Sequence, residues 1–149
     1  MLYFARMVKE AQLSLLSRYE NIEIAEQLLG EVAADARLGD ETLYWVGMAL
    51  REALANAIMH GNKLNPEKRV FVRMEVEPAG RLAIEVEDEG EGFDPSRLTD
   101  PTSPENLLRE SGRGVFYMRH FMDEVTFSPG GRGGTRVALV KNLQARRSV

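Results

Sequence analysis

The sequence predicts an α+β fold, in which helices cover one face of a mostly antiparallel mixed sheet to form a two-layer α/β sandwich. Three observations predict it: two segments with helical spacing of apolar residues come first, two strand pairs with alternating polarity follow, and a third helical segment separates the pairs. With 149 residues the chain has the usual length of one domain, and we expect residues 1–149 to form one.

The first predicted elements are an edge strand and a helix. Residues 11–19, AQLSLLSRY, alternate apolar and polar side chains, which favours an edge strand over a helix. Residues 21–39 carry apolar side chains at four-residue spacing and end at Gly39. This pattern predicts a helix with a glycine at its C-terminal end.

A second helix and two hairpins follow along the chain. Asp40 is suited to cap a helix that runs from residue 41 to about residue 60. Residues 69–77 and 81–88 alternate with period two and are joined by the turn residues PAG, which predicts a hairpin. Residues 123–141 predict a second hairpin around a glycine-rich turn.

Three further segments complete the organisation of the chain. Residues 94–111 include DPTSP and predict an irregular, mobile connection. Residues 114–122, GVFYMRHFM, have helical character, and the polar residues 142–149 predict a frayed tail.

Composition excludes several classes of site and partner. The absence of cysteine excludes disulfides, thiolate metal sites and thiol nucleophiles. The 19 Lys and Arg residues are interspersed with 23 Asp and Glu residues, so we expect no direct nucleic-acid partner. The apolar N-terminal cluster is too short for a signal peptide, and no apolar run has the length of a membrane span. We therefore expect a cytoplasmic protein without a membrane partner.

The helix predicted over residues 41–60 has a polar stripe on a mostly apolar surface. At 100° per residue, Glu52 and Asn56 lie about 40° apart, and His60 lies about 40° further on. Small residues flank Glu52 and Asn56, which would let a ligand approach closely. The solvent-facing side of an ordinary helix explains the same pattern, so the stripe alone leaves both interpretations open.

The second candidate site is VEDEGEGFDP, residues 86–95. Counting by two along the strand places Asp88 at the end of an apolar row that points toward the core. An aspartate in that position needs a hydrogen-bond donor from a cap, a water or a ligand. Gly90 and Gly92 allow a tight turn and a close approach of the backbone. The alternative is a hairpin-type turn with an exposed acidic tip.

Two more glycine-rich stretches could bind a ligand. Gly112 and Gly114 precede the predicted third helix, where free N–H groups and the positive end of the helix dipole outline an anion site. A flexible hinge explains these two glycines equally well. Thr135 begins a strand directly after Gly133 and Gly134, for which a glycine-rich hairpin loop is the alternative. The sequence contains neither a dinucleotide-binding fingerprint nor a P-loop motif.

In this order, the four stretches resemble the ATP-binding boxes of the Bergerat-fold (GHKL) superfamily, which includes gyrase-type ATPases and histidine-kinase catalytic domains. EALANAIMHGN resembles the N box, EDEGEGFDP the first glycine box, SGRGVFYMRHFMDEV the second glycine box and GGTRVALV the last. The resemblance covers the chain from about residue 12 to residue 141. Within the superfamily, NAIMHGN and FMDEV are most similar to the bacterial anti-sigma-factor serine kinases.

The resemblance implies roles for individual residues. The acid that matches Glu52 is the general base, and the asparagine that matches Asn56 coordinates the Mg²⁺ that bridges the nucleotide phosphates. Asp88 would accept a hydrogen bond from the adenine amino group of ATP, with Thr135 supporting the same edge of the base. A single carboxamide ligand is compatible with Mg²⁺, which usually keeps several waters.

The resemblance also assigns the glycine-rich residues and the irregular connection. Residues 94–111 would be the lid over the phosphates. The remaining nucleotide contacts would come from Gly90 and Gly92 at the base and from Gly112, Arg113, Gly114 and Val115 at the phosphates.

The function that the resemblance implies is that of a protein-serine kinase and anti-sigma factor. Such a protein binds a sigma factor, phosphorylates a STAS-domain anti-anti-sigma protein with ATP and is commonly a homodimer. Two alternatives stay open: an ATP-gated binding module of the same fold without phosphotransfer, and a histidine-kinase-like catalytic domain.

Overall fold

The computed structural model of this chain describes residues 9–92 and 110–143. In this part of the chain, eight helices and strands occur in the order β1 (Lys9–Leu16), α1 (Ile22–Ala36), α2 (Asp40–Asn56), β2 (Arg69–Glu77), β3 (Arg81–Glu87), α3 (Glu110–Phe121), β4 (Glu124–Pro129) and β5 (Thr135–Asn142). A short 3₁₀ turn, Tyr19–Asn21, precedes α1, and a π-helical turn, Ala57–Gly61, follows α2. None of these helices is long and apolar enough to span a bilayer.

The five strands form one sheet in the order β1-β2-β3-β5-β4. All four neighbouring pairs are antiparallel. Both predicted hairpins are present, and in the first of them Glu77 pairs with Arg81 across a turn in which Gly80 has a φ of 88°. The predicted α+β fold is confirmed, and β1 lies at the edge of the sheet as expected.

The core lies between one face of this sheet and the helices. Side chains that are opposite one another in register on β2, β3 and β5 form two apolar rows across the sheet. These rows contain Val72, Val86 and Val137, and beside them Met74, Ile84 and Leu139, all of them buried. Leu29 of α1 and Leu50 and Leu54 of α2 pack against the rows and are fully buried. Each such side chain contributes roughly 1.5–3 kcal/mol to the free energy of unfolding.

The boundary between α1 and α2 differs from the sequence prediction. α1 ends at Ala36 because Arg37 itself takes the left-handed conformation, with a φ of 59°. Leu38 then packs against the core. Gly39 has extended backbone and precedes α2, so the predicted glycine cap of α1 is wrong. Asp40 is the first residue of α2 and makes no side-chain cap; its negative charge instead lies in the first turn, where it is favourable to the helix dipole.

Three other boundaries also differ. β1 covers residues 9–16, because Ser17 leaves the strand and its N–H bonds the Lys68 carbonyl at 3.0 Å. Asn142 belongs to β5, so the tail does not begin there as predicted. Most of the predicted lid, residues 94–109 of 94–111, lies outside the described residues, and residues 110–111 belong to α3.

The end of α2 is a single π-helical turn, Ala57–Gly61. Across it, the Asn62 N–H bonds the Ala57 carbonyl five residues back, at 2.8 Å. Single π turns of this kind occur frequently at functional sites. The regular helix predicted to residue 60 is therefore a regular helix to Asn56 and a wider turn after it. His60 lies within this wider turn and is exposed.

Candidate functional site

One end of the candidate site is the place where α3 crosses the polar stripe of α2. Glu52 and Asn56 are half-buried, and Gly114 of α3 lies directly against both. A Cβ atom at Gly114 would lie 2.8 Å from Oε1 of Glu52 and 3.4 Å from Nδ2 of Asn56. Only glycine lets the helix backbone come this close. The structure therefore brings together three residues that the sequence analysis took from two separate motifs.

The beginning of α3 differs from the prediction. The helix begins at Glu110, so Gly112, Arg113 and Gly114 lie inside its first turns instead of before it. The two glycines lower the intrinsic helix propensity, which is why the sequence pattern placed the start later. Val115 is buried in the core and anchors this turn, and that contact outweighs the propensity. In an α-helix the first four N–H groups have no acceptor within the helix, so the N-terminal turn of α3 is suited to bind an anion.

Asp88 forms the other end of the site. Its side chain is 5% exposed, at the end of the apolar row of β3, as predicted. Its Oδ1 atom accepts hydrogen bonds from the backbone N–H groups of Gly90 at 2.9 Å and Thr135 at 3.2 Å. Burial raises the pKa of the Asp88 carboxyl above its ordinary value, and these two N–H groups oppose the increase only in part.

The second oxygen of Asp88 is an open acceptor. Among residues 9–92 and 110–143, no donor reaches Oδ2. Gly61, Gly90 and Gly134 surround the carboxylate: a Cβ atom at Gly61 would overlap Oδ2, one at Gly134 would overlap Oδ1, and one at Gly90 would overlap the Gly61 carbonyl. An acceptor that glycines surround at close range fits a ligand that donates a hydrogen bond.

Thr135 and Gly92, two further predicted site residues, also lie at this end. Thr135 contacts Asp88 through its backbone, since its carbonyl also accepts the Asp88 N–H at 3.0 Å. Gly92 has a φ of 93°, and a Cβ atom there would lie 3.3 Å from the Gly133 carbonyl. The first glycine box and the turn between β4 and β5 are therefore adjacent in space.

Asn62 is a residue of this site that the sequence analysis missed. It is 1% exposed, and its Nδ2 donates to the Arg69 carbonyl at 3.0 Å and to Ser17 Oγ at 3.3 Å. Its Oδ1 accepts the N–H of Glu89 at 2.8 Å. Asn62 thereby fixes the end of α2 to the first glycine box. A buried asparagine directly after a helix is a detectable feature, but the sequence pattern HGN was interpreted only as the end of the helix.

We expect Gly61→Ala to lower the free energy of unfolding by about 1–3 kcal/mol, because its methyl group overlaps the Asp88 carboxylate. Gly30→Ala is the matched control. A Cβ atom at Gly30 of α1 meets no atom within 4 Å, so this variant should gain roughly 0.5–1 kcal/mol from helix propensity. Urea unfolding of both variants measures the difference. Equal stabilities would contradict the close contact at Gly61.

The two ends together suit an elongated ligand. Asn56 is the last residue of α2, and Gly61 ends the π-helical turn that follows it, so the two ends lie along one continuous helical segment. One end offers a buried hydrogen-bond acceptor, and the other offers a carboxylate, a carboxamide and a helix N-terminus. In the described residues no three His, Cys, Asp or Glu side chains converge as a metal site. A metal ion would therefore take one carboxamide oxygen from Asn56 and its other ligands from water and the bound molecule, which fits Mg²⁺.

Comparison with known sequences gives a match over most of the chain. The family model described as "Histidine kinase-like ATPase domain" matches residues 15–141. The anti-sigma F factor of Heyndrickxia coagulans is 30% identical over 153 aligned positions, covering 96% of this chain and 99% of that protein. The anti-sigma F factor of Bacillus cytotoxicus is 32% identical, covering 92% of this chain and 94% of that protein.

Comparison with solved structures gives similar folds. The SiaB–SiaC complex from Pseudomonas aeruginosa contains a chain that matches with a TM-score of 0.68 at 14% identity, covering 93% of this chain and 92% of that chain. A Mycobacterium tuberculosis protein with RsbU and RsbW domains matches with a TM-score of 0.66 at 17% identity, covering 91% of this chain and 32% of the other. At these identities the likeness concerns the fold alone.

Proposed function

The chain belongs to the histidine kinase-like ATPase domain family, and from this premise we propose that it is an ATP-dependent protein-serine kinase that also acts as an anti-sigma factor. Membership of the family implies ATP binding. The relatives named anti-sigma F factor align over nearly their whole length, which supports the same arrangement of functions in this chain. The observation that carries the proposal is the convergence of Glu52 and Asn56 on Gly114, at one end of a site whose other end is the open acceptor of Asp88.

At the base end, Asp88 would recognise adenine. Its Oδ2 atom would accept a hydrogen bond from the exocyclic amino group, while Oδ1 stays bonded to the N–H groups of Gly90 and Thr135. An acceptor of this kind favours a ligand that supplies a hydrogen-bond donor, since an unmatched ligand would cover the oxygen and leave it unpaired. Gly90 and Gly92 would leave room for the ring, and Thr135 would support the same edge.

At the phosphate end, Asn56 would hold Mg²⁺ through its carboxamide oxygen. Bound Mg²⁺ would neutralise phosphate charge, which is the chemistry that the ion supplies in phosphoryl transfer. Gly112, Arg113, Gly114 and Val115 would contact the phosphates from the first turns of α3, where a helix N-terminus favours an anion. Arg113 lies in this turn, where a positive charge would complement the phosphates.

Glu52 would act as the general base of the transfer. It lies one helical turn from Asn56 and against the same glycine of α3, and it would therefore be adjacent to the terminal phosphate of a nucleotide bound at this end. From there its carboxylate would accept the proton of a serine hydroxyl as the serine oxygen attacks the γ-phosphorus of ATP. The bond between that phosphorus and the β,γ-bridging oxygen breaks, and ADP leaves with its electron pair. The serine would belong to a STAS-domain anti-anti-sigma protein, and a sigma factor would be the alternative partner of a homodimeric kinase.

The test is transfer to such a partner. The protein is mixed with Mg-ATP and the STAS-domain protein encoded beside it, and intact mass and peptide mass spectrometry detect phosphoserine. One phosphate per partner is expected, and none on a partner whose acceptor serine is replaced by alanine. Sedimentation of the protein alone measures its oligomeric state, for which a dimer is expected.

Two outcomes would contradict the proposal. A protein that binds no nucleotide would lose the whole proposed function. A protein that binds ATP and binds the partner more tightly with ATP, but transfers no phosphate, would instead be an ATP-gated binding module.

A further inference from the structure

The end of β3 carries two adjacent acidic residues that point to opposite faces of the sheet. Asp88 lies on the face that the helices cover, and Glu87 lies on the other face, as alternation along a strand requires. A glutamate on an uncovered sheet face is ordinarily exposed. Glu87 is nevertheless only 6% exposed. Its burial comes from the turn between β4 and β5, residues 130–134, which folds over its carboxylate.

Glu87 binds this turn through several contacts. Its Oε2 atom accepts the backbone N–H of Arg132 at 3.1 Å and lies 3.5 Å from Nη1 of the same residue. Its Oε1 atom lies 3.3 Å from Nη2 of Arg136. A Cβ atom at Gly130 would lie 2.8 Å from Oε2, so the turn backbone packs directly on the carboxylate. The Arg132 guanidinium is further fixed by the ring of Phe71, 3.8 Å below it.

The same turn makes the contacts that shape the environment of Asp88. Gly134, its last residue, packs against Asp88 so closely that a Cβ atom would overlap the carboxylate. Thr135 follows and donates its N–H to Asp88 Oδ1. The turn is therefore held by Glu87 on one side of the sheet and forms part of the Asp88 site on the other.

We propose that Glu87 is a positioning residue for nucleotide binding: by holding the turn of residues 130–134, it fixes Gly134 and the Thr135 N–H against Asp88 and so sets the affinity for the base. The inference rests on the proposed function, which supplies ATP as the ligand. Hydrogen bonds to a charged carboxylate are about twice as strong as neutral ones, and here several converge on one buried group.

Stability alone gives a poor reason for an acidic residue at this position. The negative charge of Glu87 contributes to raising the pKa of the neighbouring Asp88, so it opposes ionisation of the group that would recognise the base. Its ion-pair partners, Arg132 and Arg136, both belong to the turn or to the residues directly after it. The contacts of Glu87 are thus directed at the position of the turn.

The experiment compares Glu87→Ala with Glu87→Gln and with Glu85→Ala as the matched control. Glu85 precedes Glu87 on the same sheet face of β3, and among the described residues no hydrogen bond or ion pair joins it to the turn, whereas both kinds of contact join Glu87 to it. Calorimetry measures the Kd for Mg-ATP, and phosphotransfer is measured at saturating ATP. We expect Glu87→Ala to raise the Kd about tenfold, with the saturated rate within about twofold of the wild type. Glu87→Gln keeps an acceptor for the Arg132 N–H, so its Kd for Mg-ATP should stay within about threefold of the wild-type value. The same is expected of Glu85→Ala.

A second measurement does not need nucleotide. Hydrogen exchange of the Thr135 amide in the nucleotide-free protein should be at least about tenfold faster in Glu87→Ala and unchanged in Glu85→Ala. A folded Glu87→Ala with wild-type Kd and wild-type Thr135 exchange would overturn the inference. A large fall in the phosphotransfer rate at saturating ATP, with an unchanged Kd for Mg-ATP, would also overturn it.

Two further outcomes can be distinguished from those above. If Glu87→Ala does not fold, Arg132→Ala replaces it, because the Arg132 side chain is half exposed and its removal leaves Glu87 in place. That variant should raise the Kd at least about threefold, and an unchanged Kd would overturn the inference. If the wild type binds no ATP, the proposed function fails, and Thr135 exchange alone decides whether Glu87 holds the turn.

Discussion

Replacement of Glu52 by glutamine is expected to lower the rate of phosphotransfer by about 10²- to 10⁴-fold, the range that general-base catalysis contributes. Glutamine keeps the shape of the side chain and its contact with Gly114 but cannot accept the proton of a serine hydroxyl. The Kd for Mg-ATP should stay within about threefold of the wild type, because Glu52 is assigned to the acceptor and not to the nucleotide. Initial rates of phosphoserine formation at saturating Mg-ATP measure the first quantity, and calorimetry measures the second.

Glu41→Gln is the matched control for this variant. Glu41 lies in the first turn of the same helix and is exposed, so the same chemical change there should leave both rate and affinity within about twofold. If Glu52→Gln transfers phosphate at the wild-type rate, Glu52 does not accept the proton. If it loses nucleotide binding as well, the carboxylate belongs to the ATP site instead.

Replacement of Asp88 by asparagine is expected to weaken ATP binding by at least about 100-fold. The asparagine carbonyl oxygen can take the place of Oδ1 and keep the bonds from Gly90 and Thr135. Its amide group would then occupy the position of Oδ2 and present N–H donors to the adenine amino group, which is itself a donor. Calorimetry with Mg-ATP measures the loss. An affinity within threefold of the wild type would reject Asp88 as the residue that recognises the base.

In the absence of nucleotide, Asp88→Asn should be at least as stable as the wild type. Because the pKa of Asp88 is raised in the folded protein, the folded state binds the proton more tightly than the unfolded chain does. The free energy of unfolding therefore falls as pH rises from the ordinary carboxyl pKa, 3.8, through the folded value. Asparagine carries no charge and avoids the loss.

Urea unfolding at two pH values tests this expectation. At pH 7, Asp88→Asn should be at least as stable as the wild type. Below the ordinary carboxyl pKa, where Asp88 is protonated in both states, this advantage should disappear. A variant that is clearly less stable at pH 7 would show that the ionised carboxylate stabilises the nucleotide-free fold.

The sheet and the Asp88 end of the site follow from local sequence patterns. Alternating polarity over β2 and β3 identified the buried face, and the same count by two placed Asp88 at the end of that face. These features depend on neighbours within one strand, which the sequence displays directly. The helix that carries Glu52 and Asn56 was also identified from a local pattern, a mostly apolar segment with polar residues at helical spacing.

The features that could not be predicted depend on distant contacts. α3 begins at Glu110 despite two glycines because Val115 is buried and Gly114 packs on α2. α1 ends at Ala36 because the next residue, Arg37, takes the left-handed conformation, which is rare for a residue other than glycine. The burial of Glu87 requires a turn more than 40 positions later in the chain. The helix and strand propensities of neighbouring residues carry no information about such contacts.

The hydrogen bond between Asp88 and Thr135 has a consequence for the order in which the protein folds. It joins residues 47 positions apart, so it can form only after β5 has paired with β3 across a long loop. Contacts of such high contact order form slowly and late. ATP would therefore bind only to chains in which the central pairing is complete. We expect nucleotide to slow unfolding far more than it accelerates folding. ATP would then stabilise the folded protein without assisting the folding reaction.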